Sequence, residues 1–282
     1  MKINDKLALP TLNDKEFNRL SEFIQKNYGI KLPEGKRIVL QGRLHKRLKV
    51  LSMNDFKTYV DYVFSAEGQG EIVNMIDVVS TNKTDFFREP WHFEYMAKTI
   101  LPEIMHNNRY KTIRVWSAGC SSGEEPYTIA MVISDYKENN PGMEYNILAT
   151  DISTQVLQKG VDAVYRLDGT IDIPLNFKKK YLLRSKDPSL GQVRIIKDLR
   201  DRVKFRRLNF MDASYDVENE FDIIFCRNAL IYFERPVQEA IINKLCQHLV
   251  PGGYFVLGHS ETTTNMNVPL EHVASTILRK KS

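Results

Sequence analysis

The stretch Val115–Pro126, VWSAGCSSGEEP, decides how this chain is read. An apolar strand signal, Thr112 to Trp116, runs into a small-residue loop, Ser117 to Gly123. Two carboxylates, Glu124 and Glu125, follow with Pro126, and then a helical run from Tyr127 to Tyr136. Strand, glycine-bearing turn and helix are the parts from which α/β folds build a small-molecule site. Glycine and serine let the backbone approach a ligand, and the helix N-terminus offers free N–H groups. The loop is not G-x-x-x-x-G-K-[ST], which argues against a P-loop nucleotide. Nor is it G-x-G-x-x-G, so a pyrophosphate dinucleotide is poorly supported. Two acids directly after the loop would repel phosphates. They suit a ligand with a cationic centre and ribose hydroxyls, such as S-adenosylmethionine.

Outward from this stretch, strands and helices alternate. Strand signals lie at Thr112–Ser117, Tyr145–Thr150, Val203–Leu208, Phe221–Cys226 and Gly253–Gly258, with helices at Trp91–Ile104, Pro126–Tyr136, Ser153–Gly160 and Arg235–Leu249. The pattern predicts a doubly wound, Rossmann-like α/β domain over 90–282, with a mostly parallel sheet and right-handed crossovers. Ala274 to Lys280 reads as an antiparallel edge strand. Lys178 to Lys197, basic and β-branched with Pro188 and Gly191, reads as a small β-hairpin inserted between the second and third strands.

Residues 1–80 carry no strand pattern and read as a separate all-helical domain. Asn13-x-x-Glu16 resembles a capping box, Phe17, Leu20 and Ile24 fall at helical spacing, and Gly29 marks a stop. A second helix aligns Leu40, Leu44, Leu48 and Leu51, a third begins near Ser52-x-x-Asp55, and a fourth spans Glu71 to Val79. Residues 81–89, TNKTDFFRE, read as a linker, yet two adjacent phenylalanines say that it packs on something.

The 282 residues are 43% hydrophobic and 27% charged, ordinary for a soluble protein. No run of about 18 apolar residues predicts a membrane span, and MKINDKLALP lacks the apolar core of a signal peptide. The cysteines, Cys120, Cys226 and Cys246, show neither zinc-site spacing nor a disulfide framework. A cytoplasmic protein is expected. A net charge of +5 either serves solubility or favours an acidic partner.

In open α/β sheets ligands sit at the carboxyl ends of the strands. There the sequence places Glu124 and Glu125, then Asp151, then Asn209 and Phe210, then Arg227 and Asn228. Asp151 fits a ribose partner and equally a helix N-cap. Asn209 and Phe210 fit an adenine edge and face, or a turn and a core ring.

Read together, TNKTDFFRE, VWSAGCSSGEEPYTIA, ATDIS, FCRNALIYF and the closing GHSE (Gly258–Glu261) resemble the CheR family of chemotaxis-receptor methyltransferases over nearly the whole chain. The resemblance implies a class I S-adenosylmethionine-dependent methyltransferase domain with an inserted antiparallel β-subdomain, behind an all-α docking domain. It implies methyl transfer to receptor glutamates, with S-adenosylhomocysteine as product and no metal. It assigns Asn82, Thr84, Arg88, Glu125, Asp151, Asn209, Phe210, Arg227 and Asn228 to the cofactor pocket, and places Tyr232 next to the transferred methyl. The segment 81–89 then contributes to that pocket. Gly119-Cys120 departs from the alanine-like residues of some members, a difference of packing more than chemistry.

Tyr232 is expected to orient the reacting groups, or else to pack on the sheet. Arg88 is expected to hold the cofactor carboxylate or the incoming glutamate, or else to pair with Glu89 or Asp85 at the surface. On the second helix, Lys36, Arg43 and Arg47 share a face, flanked by His45, Lys46 and Lys49, with no compensating acid nearby. The family resemblance makes this the surface that meets the acidic helical bundle of a receptor, recruiting a monomeric protein to membrane receptor arrays without insertion. Capture of a receptor tail at the inserted hairpin is left open. A nucleic-acid methyltransferase would carry a base-reading N-P-P-[FY] run where CRNALIYF stands. A non-catalytic binding module would have lost pocket residues. A serine hydrolase is excluded because Thr262 breaks the G-x-S-x-G elbow after Gly258.

Overall fold

The computed structural model describes residues 9–107, 112–217 and 220–281. Most of the N-terminal stretch read above for a leader lies outside the described residues. The chain forms two units, residues 1–81 and 82–282.

The first unit is helical: α1 (Asp14–Tyr28), α2 (Arg37–Val50), α3 (Phe56–Val63) and α4 (Glu71–Val79). The Asn13 side chain accepts the Glu16 N–H and the Glu16 carboxylate accepts the Asn13 N–H, which is the expected capping box. Gly29 ends α1 at φ 70°, in the left-handed region. The α3 cap is Asp55, accepting the Thr58 N–H at 2.7 Å, rather than Ser52. Phe17, Leu20 and Ile24 of α1 and Leu40, Leu44 and Leu48 of α2 are buried. Each such side chain contributes about 1.5–3 kcal/mol.

The second unit begins with α5 (Trp91–Tyr95), a π-helical stretch Met96–Ile100, and α6 (Leu101–Asn107). Then come β1 (Thr112–Ala118), α7 (Glu124–Glu138), β2 (Glu144–Asp151), α8 (Thr154–Asp162), β3 (Val164–Arg166), α9 (Leu175–Tyr181), β4 (Leu182–Arg184), β5 (Gln192–Ile195), α10 (Lys197–Arg200), β6 (Val203–Arg207) and β7 (Phe221–Cys226). After a 3₁₀ turn, Leu230–Tyr232, the chain closes with α11 (Arg235–Gln247), β8 (Leu249–Leu257), β9 (Leu270–Ala274) and β10 (Ile277–Lys280).

Among the described residues these strands build a seven-stranded sheet, ordered β6-β2-β1-β7-β8-β10-β9. The first five are parallel; β10 runs antiparallel to β8 and β9. The chain winds outward from β1 through β2 to β6, then returns to β7 on the other side. The β1/β7 boundary is therefore the switch point, where α/β sheets open a crevice. Side chains of β1 alternate as the pleat requires. Ile113 and Val115 enter one core with Ile129 and Ile133, and Trp116 and Ala118 enter the other with Ile241 and Leu245.

Two expectations change. The tail is not a single edge strand: Ser275 and Thr276 turn it into a hairpin, and β9 takes the edge. The insertion is a three-stranded antiparallel sheet, ordered β3-β5-β4. Its third strand, Val164–Arg166, precedes the expected hairpin, and residues 178–181 are helical because the lysine-rich run continues α9.

Candidate functional site

The loop after β1 is built to bring backbone close to whatever fills the crevice. Gly119, at φ +85°, stands so near the β7 side that an added Cβ would lie 2.9 Å from Ala229 Cβ and 3.9 Å from the Phe210 ring. Ser121 also takes a positive φ, 49°, unfavourable for a residue with a Cβ. The Gly119 and Cys120 amides donate to the Thr150 carbonyl at 2.7 and 2.9 Å, clamping the loop to β2.

Asp151 ends β2 beside this loop. Its carboxylate accepts the Ser121 N–H at 2.9 Å and the Ser153 N–H at 3.0 Å. The N-cap of α8 is Ser153, so capping does not explain Asp151. Asn209 does act as a turn residue, accepting the Met211 N–H at 3.0 Å. Phe210 packs half-buried between Tyr215 and Phe233 and approaches Gly119.

The segment 81–89 is not a free linker. Phe86 is buried against Tyr165, and Phe87 packs on Phe93 and Phe177. The Ser121 hydroxyl donates to the Asn82 carbonyl at 2.9 Å, tying the segment to the loop. Phe87 and Glu89 both sit at positive φ, 53° and 58°. Arg88 is half-exposed and donates to the Lys83 carbonyl at 3.1 Å. It forms no ion pair with another described residue, so pairing with Glu89 or Asp85 is not observed. Thr84 is half-exposed on the same segment.

Arg227, expected at the cofactor pocket, is tied into the surrounding residues. Its side chain is only 2% exposed and bridges two carboxylates, Glu125 and Glu89, at 3.0 Å each. It also donates to the Arg88 carbonyl and lies over the Phe93 ring. Its charge is spent as a brace between β7, the head of α7 and the segment 82–89. Glu125 accepts from the Ser117 hydroxyl as well, at 2.7 Å. Burial pushes the Glu125 carboxyl above the usual carboxylate range, with the Arg227 charge opposing. Burial would raise Glu89 likewise, but its hydrogen bond with Arg227 and the Arg227 charge leave it below that range. His92, fully buried beside Glu89, is held down to about 4 by burial and then by Arg227.

Three acting residues escaped the sequence reading: Glu89, Ser117 and Glu261. The buried Glu261 carboxylate accepts the N–H groups of Asn228, Leu230 and Gly258, each at 2.8 Å. It pins the turn that carries Asn228, at φ 56°, and Tyr232. Burial raises the Glu261 carboxyl, and the three amides oppose that rise. The Asn228 side chain donates to Glu89 at 3.4 Å. Tyr232 is half-buried, and its hydroxyl makes no hydrogen bond with another described residue. The signal for Glu261 was its place in GHSE; Glu89 and Ser117 stood inside motifs already quoted.

The first unit changes the expectation that its basic face has no compensating acid nearby. Arg47 is paired with the buried Glu71 at 2.7 Å, and Arg43 donates to the Val79 and Ser80 carbonyls and the Thr81 hydroxyl. The acid that seemed missing lies on α4, and both arginines are engaged inside the unit. Lys36 and Lys46 are exposed.

Residues 82–278 match the family model for the CheR methyltransferase, SAM binding domain, and residues 15–80 match the CheR methyltransferase, all-alpha domain. The chain is 38% identical over 269 residues to a chemotaxis protein methyltransferase of Borreliella burgdorferi, covering 94% of each chain. It is 35% identical over 255 residues to a protein of the same name from Salmonella typhimurium, covering 90% of this chain and 86% of that one. It is 35% identical over 266 residues to the one from Escherichia coli, covering 94% and 90%. With both family models matched in order, and relatives of the same name matched over most of their length, the chain belongs to the CheR methyltransferase family.

Proposed function

We propose that this protein transfers the methyl group of S-adenosylmethionine to glutamate side chains of chemotaxis receptors, forming methyl esters. The observation that carries the reading is the Asp151 carboxylate, fixed by two backbone amides at the end of β2, beside the close-approach loop at Gly119. Such a carboxylate can accept from two neighbouring ribose hydroxyls. Phe210 offers a ring face for adenine beside that loop, and Asn82, Thr84 and Asn228 complete the polar wall. Arg88, half-exposed and without an ion pair among the described residues, suits the cofactor carboxylate.

When bound, the cofactor supplies an electrophilic methyl on a sulfonium leaving group. The receptor carboxylate is already ionised near pH 7, so no side chain here has to act as general base. Asp151, Phe210 and Arg88 would hold the cofactor, whose sulfur would take the electron pair of the carbon–sulfur bond as a receptor carboxylate oxygen bonded to the methyl carbon. The chain's task is placement in line and exclusion of water, which supplies up to about 7–11 kcal/mol at best. Arg227 and Glu261 hold the two sides of the crevice in register, and the Tyr232 hydroxyl orients the incoming carboxylate.

For the partner surface, Lys36 and Lys46 on the first unit suit an acidic helical bundle, chiefly by steering encounter. In the small sheet, β4 is an outer strand among the described residues, with Leu183 55% exposed, which favours strand addition of a receptor tail.

The test is transfer of radiolabelled methyl to purified receptor signalling fragments, followed by mild alkali. Label released as volatile methanol is expected. Label that stays on the receptor through alkali, or label on nucleic acid instead, overturns the reading.

A further inference from the structure

Glu89, His92 and His259 form a cluster that the transfer chemistry does not use. The tautomer of buried His92 follows from its neighbours. The Thr276 hydroxyl donates its single hydrogen to the Ser275 carbonyl at 2.7 Å, so it accepts at its 2.7 Å contact with His92 Nε2. The proton of neutral His92 therefore sits on Nε2, and Nδ1 presents a lone pair. That atom is buried without a hydrogen-bond partner among the described residues and lies 3.4 Å from Glu89 Oε2. A carboxylate oxygen also lacks a hydrogen, so two acceptors converge on one buried point. His259 brings Nε2 to within 4.0 Å of the same oxygen, its side chain 58% exposed and its ring edge-on to His92. One donor atom from each of the three residues falls within 4.8 Å of the others.

We propose that Glu89, His92 and His259 form a binding site for a divalent transition-metal ion, zinc being the best match. Two imidazole nitrogens and one carboxylate oxygen are a zinc donor set, and a hard ion such as magnesium would want more oxygen. Bonds of about 2.0–2.2 Å place tetrahedral ligand atoms about 3.3 Å apart. The His92–Glu89 spacing of 3.4 Å already meets that, and the exposed His259 ring needs only a small swing. Thr276 is the outer partner that fixes the ligating tautomer. The fourth position opens to solvent on the His259 side. None of the cysteines takes part.

The ion would share Glu89 Oε2 with Arg227, which donates to it at 3.0 Å. Occupancy therefore competes with the brace, and the site is weaker than a closed structural zinc site.

The test is titration of the tag-free full chain with cobalt(II), read by visible absorption, and then displacement by zinc. One equivalent giving intense tetrahedral-type bands, bleached by zinc and lost in His259→Ala, is the expected result. His259 lies at the surface, so this variant tests the site without disturbing the core; His92→Gln is expected to lose the bands too. No bands in the wild type, or bands that survive His259→Ala, would overturn the proposal.

Discussion

The Glu261 carboxylate accepts the backbone N–H of Leu230 at 2.8 Å and thereby fixes the turn that ends in Tyr232. Its other oxygen takes two more amides, from Asn228 and Gly258. In Glu261→Gln one oxygen becomes an NH₂ group facing backbone donors. We expect this variant to lose about 2–3 kcal/mol of stability in denaturant unfolding. Its methyl-transfer rate should fall further than its affinity for S-adenosylhomocysteine. Wild-type transfer in a folded Glu261→Gln protein would show that the turn needs no such anchor.

Arg227, itself buried, separates two half-buried carboxylates, and removing it leaves both without their shared counter-charge. Arg227→Met should cost about 3–5 kcal/mol in unfolding experiments, as for other buried pairs broken on one side. A change below about 1 kcal/mol, typical of surface pairs, would mean that the bridge does not brace the fold.

Burial of Glu125 sets a pH dependence, with the Arg227 charge opposing it. The folded Glu125 carboxyl lies above its unfolded value, so its contribution to stability is full in acid and is lost as pH rises through that raised value. Cofactor binding that uses the ionised form has the opposite sign. Affinity for S-adenosylhomocysteine should weaken as pH falls through the raised Glu125 range, and Glu125→Gln should flatten that part of the profile. Calorimetry at stepped pH reads both; an unchanged profile in Glu125→Gln would remove Glu125 from the site.

Tyr232 and Arg88 divide catalysis from binding. Tyr232→Phe should bind S-adenosylhomocysteine normally and slow transfer by about tenfold or more, through lost orientation. Arg88→Ala should weaken that binding by a similar factor. Reversed effects would exchange the two roles.

On the first unit, the basic residues should separate into two groups. Lys36→Glu and Lys46→Glu should raise the KM for receptor, most strongly at low salt, with S-adenosylhomocysteine affinity unchanged. Arg47→Ala should instead destabilise the unit, because it removes the counter-charge of Glu71, which is 4% exposed and keeps only the neutral donors Tyr59 and Asn74 among the described residues. If Arg47→Ala unfolds like the wild type, the Glu71 pair is dispensable.

How much of this was legible in the sequence depended on range. The parallel strands and the residues at their ends stood out because each apolar run stops at a polar residue with a chemical use. Asp151 after LAT and Asn209-Phe210 after RRL are examples. What pairs with what across long separations was hidden. Arg227 meets Glu125 from 102 residues away, so its bridge between two carboxylates could not be read from the sequence. Arg47 read as part of a basic docking face without a compensating acid because Glu71 lies 24 residues further on. The strand Val164–Arg166 spans three residues, too few to show a period of two.

The most direct measurement is the crystal structure of the complex with S-adenosylhomocysteine. The account predicts ribose hydroxyls on the Asp151 carboxylate and adenine against the Phe210 ring, beside Gly119. A nucleoside seated away from the β2 end, with Asp151 making no contact to it, would contradict the account.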